Sequence, residues 1–412
     1  MNAEIISIGT ELLLGHIVNT NAAYLSRKLS ELGVDIYYQT TVGDNPQRLT
    51  HTIRKALVRS DIVILTGGLG PTVDDITIEA VAGLVGKPLV LNKVILADIK
   101  NHFKARGIAM PAGNERQAHI PEEAKWLRNK VGTAPGVIIE YHGKVIICLP
   151  GPPRELHPIF ESGVVPYLKK RYASGWVFRT RTIKTTGLPE SRVNIIVKDL
   201  LKLPPPTTVG IYAKLGQVEL VIMAKAKTKR VAQVQIAKIE KRIYSRLKDY
   251  IFGYDDDTLE GAVGRRLIEK RKTIVVAESC TGGLVSSRLT DVSGSSKYFI
   301  RGAVPYSNEV KVKYVGVSAG TLKKYGAVSR QVAMEMARGI RSLMGVNIGL
   351  AVTGIAGPTG GTNKKPVGLV YIALITDTKR AVKEFRFAGS RADIKWQASQ
   401  AALNMIRLCA RS

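Results

Sequence analysis

The spacing of apolar positions along this chain alternates between two periods. Glu4–Ile8 reads as a short strand. Ala23, Leu25, Leu29 and Leu32 then recur at helical spacing through Thr20–Leu32, and Gly33 stops the run. Ile36–Val42 predicts a strand, Pro46–Ser60 a helix, and Ile62–Leu65 a continuous apolar strand of the kind buried on both faces of a parallel sheet. A helix follows over Ile76–Val85. A hairpin is expected from Gly136–Tyr141 and Lys144–Leu149 about His142-Gly143, and a helix restarts at Glu155–Phe160. This is the pattern of a layered α/β domain over residues 1–170.

The pattern changes over 176–252. A strand at Arg179–Thr186, a helix at Pro189–Leu201, a break at Pro204-Pro205-Pro206, a hairpin from Val209–Ala213 and Val218–Ala226, and a long basic helix at Arg230–Leu247 predict a small α+β module. Gly253–Asp257 is a second boundary, with Asp257 and Glu260 read as a helix-start box before Leu259–Lys270. Strand and helix alternate again over 257–412, giving a multidomain α/β protein of three parts.

The formal net charge of +28 is uneven: +3 over 1–170, +12 over 171–250 and +13 over 251–412. Such a surface attracts phosphates and nucleic acid, but adaptation of a solvated surface to a salty or hot interior is the favoured reading. No apolar run approaches the length of a membrane span. Three cysteines without metal-ligand pairing, and an N-terminus lacking a secretory pattern, predict a soluble protein of the reducing cytoplasm.

Two loops carry candidate chemistry. Glu278-Ser279-Cys280-Thr281-Gly282-Gly283 follows the apolar run Thr273–Val276 and opens a helix over Leu284–Asp291. Ser279 is a candidate nucleophile and Cys280 a rival. Lys311 in Tyr306–Lys311 is a candidate base, since a desolvated lysine can take a serine proton, and Tyr306 is a possible relay. No histidine accompanies the motif, so a Ser-His-Asp triad is not expected. The backbone of Thr281, Gly282 and Gly283, and a second loop at Thr353, Gly354 and Gly357, offer N–H groups to an oxyanion or a phosphate. In the N-terminal segment, Gly67, Gly68 and Gly70 precede Asp74 and Asp75. Glycines there can cradle a pyrophosphate while an aspartate holds a hard cation such as Mg²⁺. One aspartate capping the next helix explains part of that pattern equally well.

Family resemblances attach to these residues. Ala277–Gly283, Gly294-Ser295-Ser296, Tyr306–Lys311, Gly326–Ser329, Thr353–Gly361 and Lys365–Gly368 resemble the PncC-type nicotinamide-nucleotide deamidases. That resemblance implies metal-free hydrolysis of nicotinamide mononucleotide (NMN) to nicotinate mononucleotide and ammonia. It implies Ser279 as nucleophile, Lys311 and Tyr306 as proton partners, and Arg391 as a substrate-binding arginine. Ser390 stands where an aspartate is common, and Pro305 where a non-proline is. The N-terminal segment resembles the molybdopterin-binding fold of MoaB/MogA proteins through Gly9–Leu13, Val42-Gly43-Asp44, Gly67–Asp75 and Leu149–Glu155, with Asn19 in place of a common aspartate.

The whole chain is similar to the CinA family, with a KH-like connecting domain. This implies ADP-ribose pyrophosphatase activity with a divalent metal, giving AMP and ribose 5-phosphate, and a homodimer. Asp44, Asp74 and Asp75 are the metal candidates, with Glu11 and Glu155 nearby. The alternative is a nucleic-acid-associated competence or DNA-damage protein whose α/β domains are scaffolds. The Gly-x-x-Gly loop with which KH domains grip RNA is absent between residues 187 and 226.

Overall fold

The computed structural model describes residues 1–172 and 176–410. The expected first junction, 171–175, falls largely outside them. The chain divides into two compact units, residues 1–179 with 225–232, and residues 180–224 with 233–412.

The first unit is built on a six-stranded sheet in the order Asp35–Val42, Asn2–Ile8, Ile62–Thr66, Lys144–Leu149, Gly136–Tyr141, Lys125–Leu127. The first four strands are parallel, and the last two pair antiparallel. Ile62, Val63, Ile64 and Leu65 are wholly buried, so the unbroken apolar run does mark a central strand. Thr20–Glu31 packs one face with Ala22, Leu25 and Leu29, each of the larger side chains worth about 1.5–3 kcal/mol when removed from water. Asn19 caps this helix by accepting from the Ala22 N–H at 3.1 Å, so the departure from aspartate keeps a capping oxygen. Pro46–Arg59 covers the other face with Leu49, Ile53, Ala56 and Leu57. The helix Lys93–Lys104, capped by Asn92, was not read from the apolar pattern, nor was the two-stranded Leu89–Leu91 with His119–Pro121.

A four-stranded sheet, most of whose residues fall in the second unit, runs Thr207–Lys214, Gln217–Ala226, Val177–Thr185, Ile251–Tyr254. A five-stranded sheet runs Phe299–Ala303, Ile274–Glu278, Ile348–Gly354, Leu369–Ile375, Arg380–Arg386. Its first three strands are parallel. The alternation expected to the C-terminus stops there, because Leu369–Ile375 and Arg380–Arg386 form an antiparallel pair with no helix between them. The helix-start box is also corrected. Thr258 is the cap, accepting from the Gly261 N–H at 3.1 Å, while Asp257 accepts from the Tyr254 N–H at 2.9 Å and so ties off the preceding strand. Long helices at Arg330–Met344 and Arg391–Cys409 pack against the five-stranded sheet.

Parallel pairing fixes where chemistry can occur. Neighbouring parallel strands end together, and their outgoing loops share one edge. Ser279, the Val304–Tyr306 turn and the Gly354–Gly357 loop therefore meet in the second unit. The loops after Ile8, Thr66 and Leu149 meet in the first.

Candidate active sites

In the second unit the strand Ile274–Glu278 hands directly into Ser279, whose N–H donates to Val352 O at 2.9 Å. Lys311 sits on the short helix Asn308–Val315, capped by Ser307. Its side chain is buried, 1% exposed, and its Nζ lies 3.1 Å from Ser279 Oγ and 2.8 Å from Tyr306 O. Burial pushes the Lys311 ammonium below the ordinary lysine range, which favours the neutral amine. A neutral amine within hydrogen-bond reach of a hydroxyl is what a general base for serine requires.

Cys280 has the opposite environment. It belongs to the apolar cluster with Val285 and Leu289, and burial pushes its thiol up to about 12. A thiol held protonated in an apolar core is a poor nucleophile.

Glu278, wholly buried, determines what the glycine turn can offer. Its carboxylate accepts from the N–H groups of Val285 and Ser286 at 2.9 and 2.8 Å, and from Ser286 Oγ at 2.6 Å. The expectation that the helix Leu284–Thr290 would present these N–H groups to an anion is corrected by that contact. Gly282 N–H is committed as well, to Ser279 O at 3.2 Å. The N–H groups of Thr281 and Gly283 have no partner among the hydrogen bonds of the described residues. Thr281 is fully buried and its hydroxyl is unpartnered.

Arg391 opens the helix Arg391–Cys409. Its guanidinium donates to Gly357 O at 2.7 Å and to the Tyr306 hydroxyl at 3.0 Å. Tyr306 therefore touches Lys311 through its main-chain carbonyl, and its phenol is turned to Arg391, so the structure does not make the phenol a direct proton partner of Lys311. Ser390 caps this helix in a reciprocal box with Asp393, which gives the serine at this position a definite task. Thr353, 1% exposed, donates to Ala327 O at 2.9 Å. Its side chain thus secures the Gly326–Ser329 turn and is not free for substrate. Gly354 is required by packing, since a Cβ there would lie 2.6 Å from Val370.

In the first unit an open cleft of about 470 Å³ is lined by Gly67, Gly68 and Gly70 together with acidic side chains at Glu11, Asp44, Asp74, Asp75 and Glu155. Gly67 has φ +101°, and a Cβ on it would stand 2.4 Å from Ile8 O, so only glycine fits where these loops meet. Asp44 accepts from Thr10 N and Oγ1 at 2.9 and 2.8 Å. Asp75 accepts from Thr72 N and Oγ1 at 2.9 and 2.5 Å, and Asp74 is exposed. Among the described residues no three His, Cys, Asp or Glu side chains gather into a metal cage. The three aspartates share a cleft without converging. Their carboxylate oxygens are the hard donors Mg²⁺ takes, and phosphate oxygens would have to complete its shell.

Three family models match the chain in succession: a probable molybdopterin binding domain over 4–170, a damage-inducible protein CinA KH domain over 180–253 and the CinA C-terminal domain over 256–410. A CinA-like protein of Kosmotoga olearia is 50% identical over 407 residues, covering 99% of this chain and 98% of the relative. The chain belongs to the CinA family. A CinA-like protein of Dictyoglomus turgidum is 48% identical over 407 residues, with the same coverage of both chains. A solved structure of competence/damage inducible protein CihA from Agrobacterium tumefaciens is 38% identical, covering 38% of this chain and 98% of that one, at a TM-score of 0.36.

Within this CinA-family chain, sequence reasoning missed two site residues. Glu278 was passed over because its role depends on where the Val285 and Ser286 amides fall. Arg288 lies on the same helix, buried, donating to Ser399 Oγ and Glu260 at 2.8 and 2.7 Å and stacked 4.3 Å over Trp396. It fixes the glycine-turn helix against the Arg391 helix. A buried arginine has no signature in a single sequence beyond its place on an otherwise apolar helical face.

Proposed function

We propose that the C-terminal site hydrolyses the carboxamide of NMN, giving nicotinate mononucleotide and ammonia. The observation that carries this reading is the buried Lys311 amine 3.1 Å from Ser279 Oγ. Ser279 Oγ attacks the amide carbon as the neutral amine takes its proton. The developing oxyanion is met by the N–H groups of Thr281 and Gly283. The C–N bond breaks as the Lys311 ammonium returns that proton to the nitrogen, which leaves as ammonia. Water then attacks the Ser279 ester as Lys311 takes its proton, the acyl–Oγ bond breaks as Lys311 hands that proton to Ser279 Oγ, and the acid product departs as the carboxylate, its own proton lost to solvent. Ammonia release from NMN tests this. With EDTA present, turnover is expected to persist in wild type and in Cys280→Ala, and to vanish in Ser279→Ala. Silence of the wild type, or loss in Cys280→Ala with Ser279→Ala active, would remove the reading.

The cleft of the first unit supports a second activity, cleavage of ADP-ribose to AMP and ribose 5-phosphate. The glycine turn at Gly67–Gly70 would hold the pyrophosphate. A divalent cation such as Mg²⁺, held by Asp44, Asp74 or Asp75, would neutralise its charge. AMP formation from ADP-ribose with added Mg²⁺ checks it. Both substrates are fragments of nicotinamide dinucleotides, so one chain would process two products of the same breakdown. The family resemblance also carries a homodimer, which sedimentation would verify.

A further inference from the structure

If the C-terminal site takes a mononucleotide, some group must neutralise its 5′-phosphate. The turn at Thr281–Gly283 keeps only the N–H groups of Thr281 and Gly283, and the reaction above gives both to the oxyanion. Glu278 consumes the N–H groups of Val285 and Ser286, and Ser279 O takes that of Gly282. Arg391, the residue the family resemblance nominates, already gives one N–H of each terminal nitrogen to protein acceptors, Gly357 O and the Tyr306 hydroxyl. It ties together the Gly354–Gly357 loop and the Val304–Tyr306 turn.

One helical turn further on, and so on the same face as Arg391, stands Lys395. Its ammonium is 3.7 Å from where a Cβ on Gly282 would stand. Among the described residues it makes no ion pair and no side-chain hydrogen bond. The one acid in its own helical turn, Asp393, is committed to Ser390 N and Oγ at 2.9 and 2.7 Å. A partly buried, uncommitted cation thus overhangs a side-chain-free turn three residues from the nucleophile.

We propose that Lys395 is the phosphate-binding cation of this site, and that Arg391 positions Tyr306 and the Gly357 loop around the nicotinamide. This rests on the deamidase reading given above. It assigns specificity for a nucleotide over a nucleoside to one side chain.

The test compares full-length wild type, Lys395→Gln and Lys395→Arg, each checked for an unchanged melting temperature. The readout is the ratio of kcat/KM for NMN to kcat/KM for nicotinamide riboside, which lacks the phosphate. A charge-assisted contact of ordinary strength predicts a 10- to 100-fold fall of that ratio, roughly, in Lys395→Gln, carried by KM, with Lys395→Arg restoring most of it. A ratio unchanged in Lys395→Gln, or a loss on kcat that Lys395→Arg does not restore, overturns the assignment. Should the wild type release no ammonia from NMN, the deamidase reading falls by itself. Calorimetric titration with ribose 5-phosphate then decides Lys395. Loss of one binding equivalent in Lys395→Gln sustains a phosphate site there, and an unchanged isotherm overturns it.

Discussion

Lys311→Met separates the role of Lys311 in catalysis from its cost to the fold. Methionine matches the length of the buried stem, with sulfur in place of Cδ, and removes the amine. Ser279 Oγ and Tyr306 O each lose a hydrogen-bond partner, at about 1 kcal/mol each. Against that stands the cost of burying an amine whose proton affinity burial has lowered. The sign follows from linkage. Between the depressed folded pKa and the ordinary lysine value of about 10.4, the unfolded chain binds a proton that the folded chain does not. Wild-type stability therefore rises with pH across that window, by about 1.4 kcal/mol per pH unit, and levels off above it. The methionine variant lacks this dependence. Urea unfolding of both proteins from pH 7 to 11 should show the variant gaining relative to wild type as pH falls. NMN deamidation should fall by roughly 10²- to 10⁴-fold or more in the variant, the usual worth of a general base. In wild type, kcat/KM should rise with pH through a single ionisation below the ordinary lysine range. A stability difference that stays flat with pH would refute the claim that Lys311 is buried uncharged, and a variant of near-wild-type rate would refute its role as base.

Glu278→Gln should cost about 1–3 kcal/mol in chemical denaturation, because one amide oxygen cannot accept from Val285 N, Ser286 N and Ser286 Oγ together. The freed turn should also slow deamidation. Gly67→Ala should abolish AMP formation from ADP-ribose while ammonia release from NMN stays within about twofold, since its Cβ collides with Ile8 O in the first unit only. Parallel loss of both activities would show that the sites are not independent.

The parts of this protein legible in the sequence are those whose signal is periodic or local. Ile62–Thr66 and Ile274–Glu278 appear as unbroken apolar runs because both faces are buried, and the glycine turns follow because positive φ demands glycine. Ser279 and Lys311 could be paired by residue type before their distance was known, since a serine without histidine needs another base. What stayed hidden depends on tertiary placement. The antiparallel close of the C-terminal sheet is set by pairing partners that periodicity does not name. Thr353 and Cys280 look equally available on paper, yet one secures a turn through Ala327 O and the other fills a core. Arg391 and Lys395 show the limit most sharply. Both are cations on one face of one helix, and the family resemblance names the first as the substrate ligand. The structure commits the first to Gly357 and Tyr306 and leaves the second unpaired over Gly282. What else each of two like charges already touches bears on which of them meets a ligand, and that information exists only after folding.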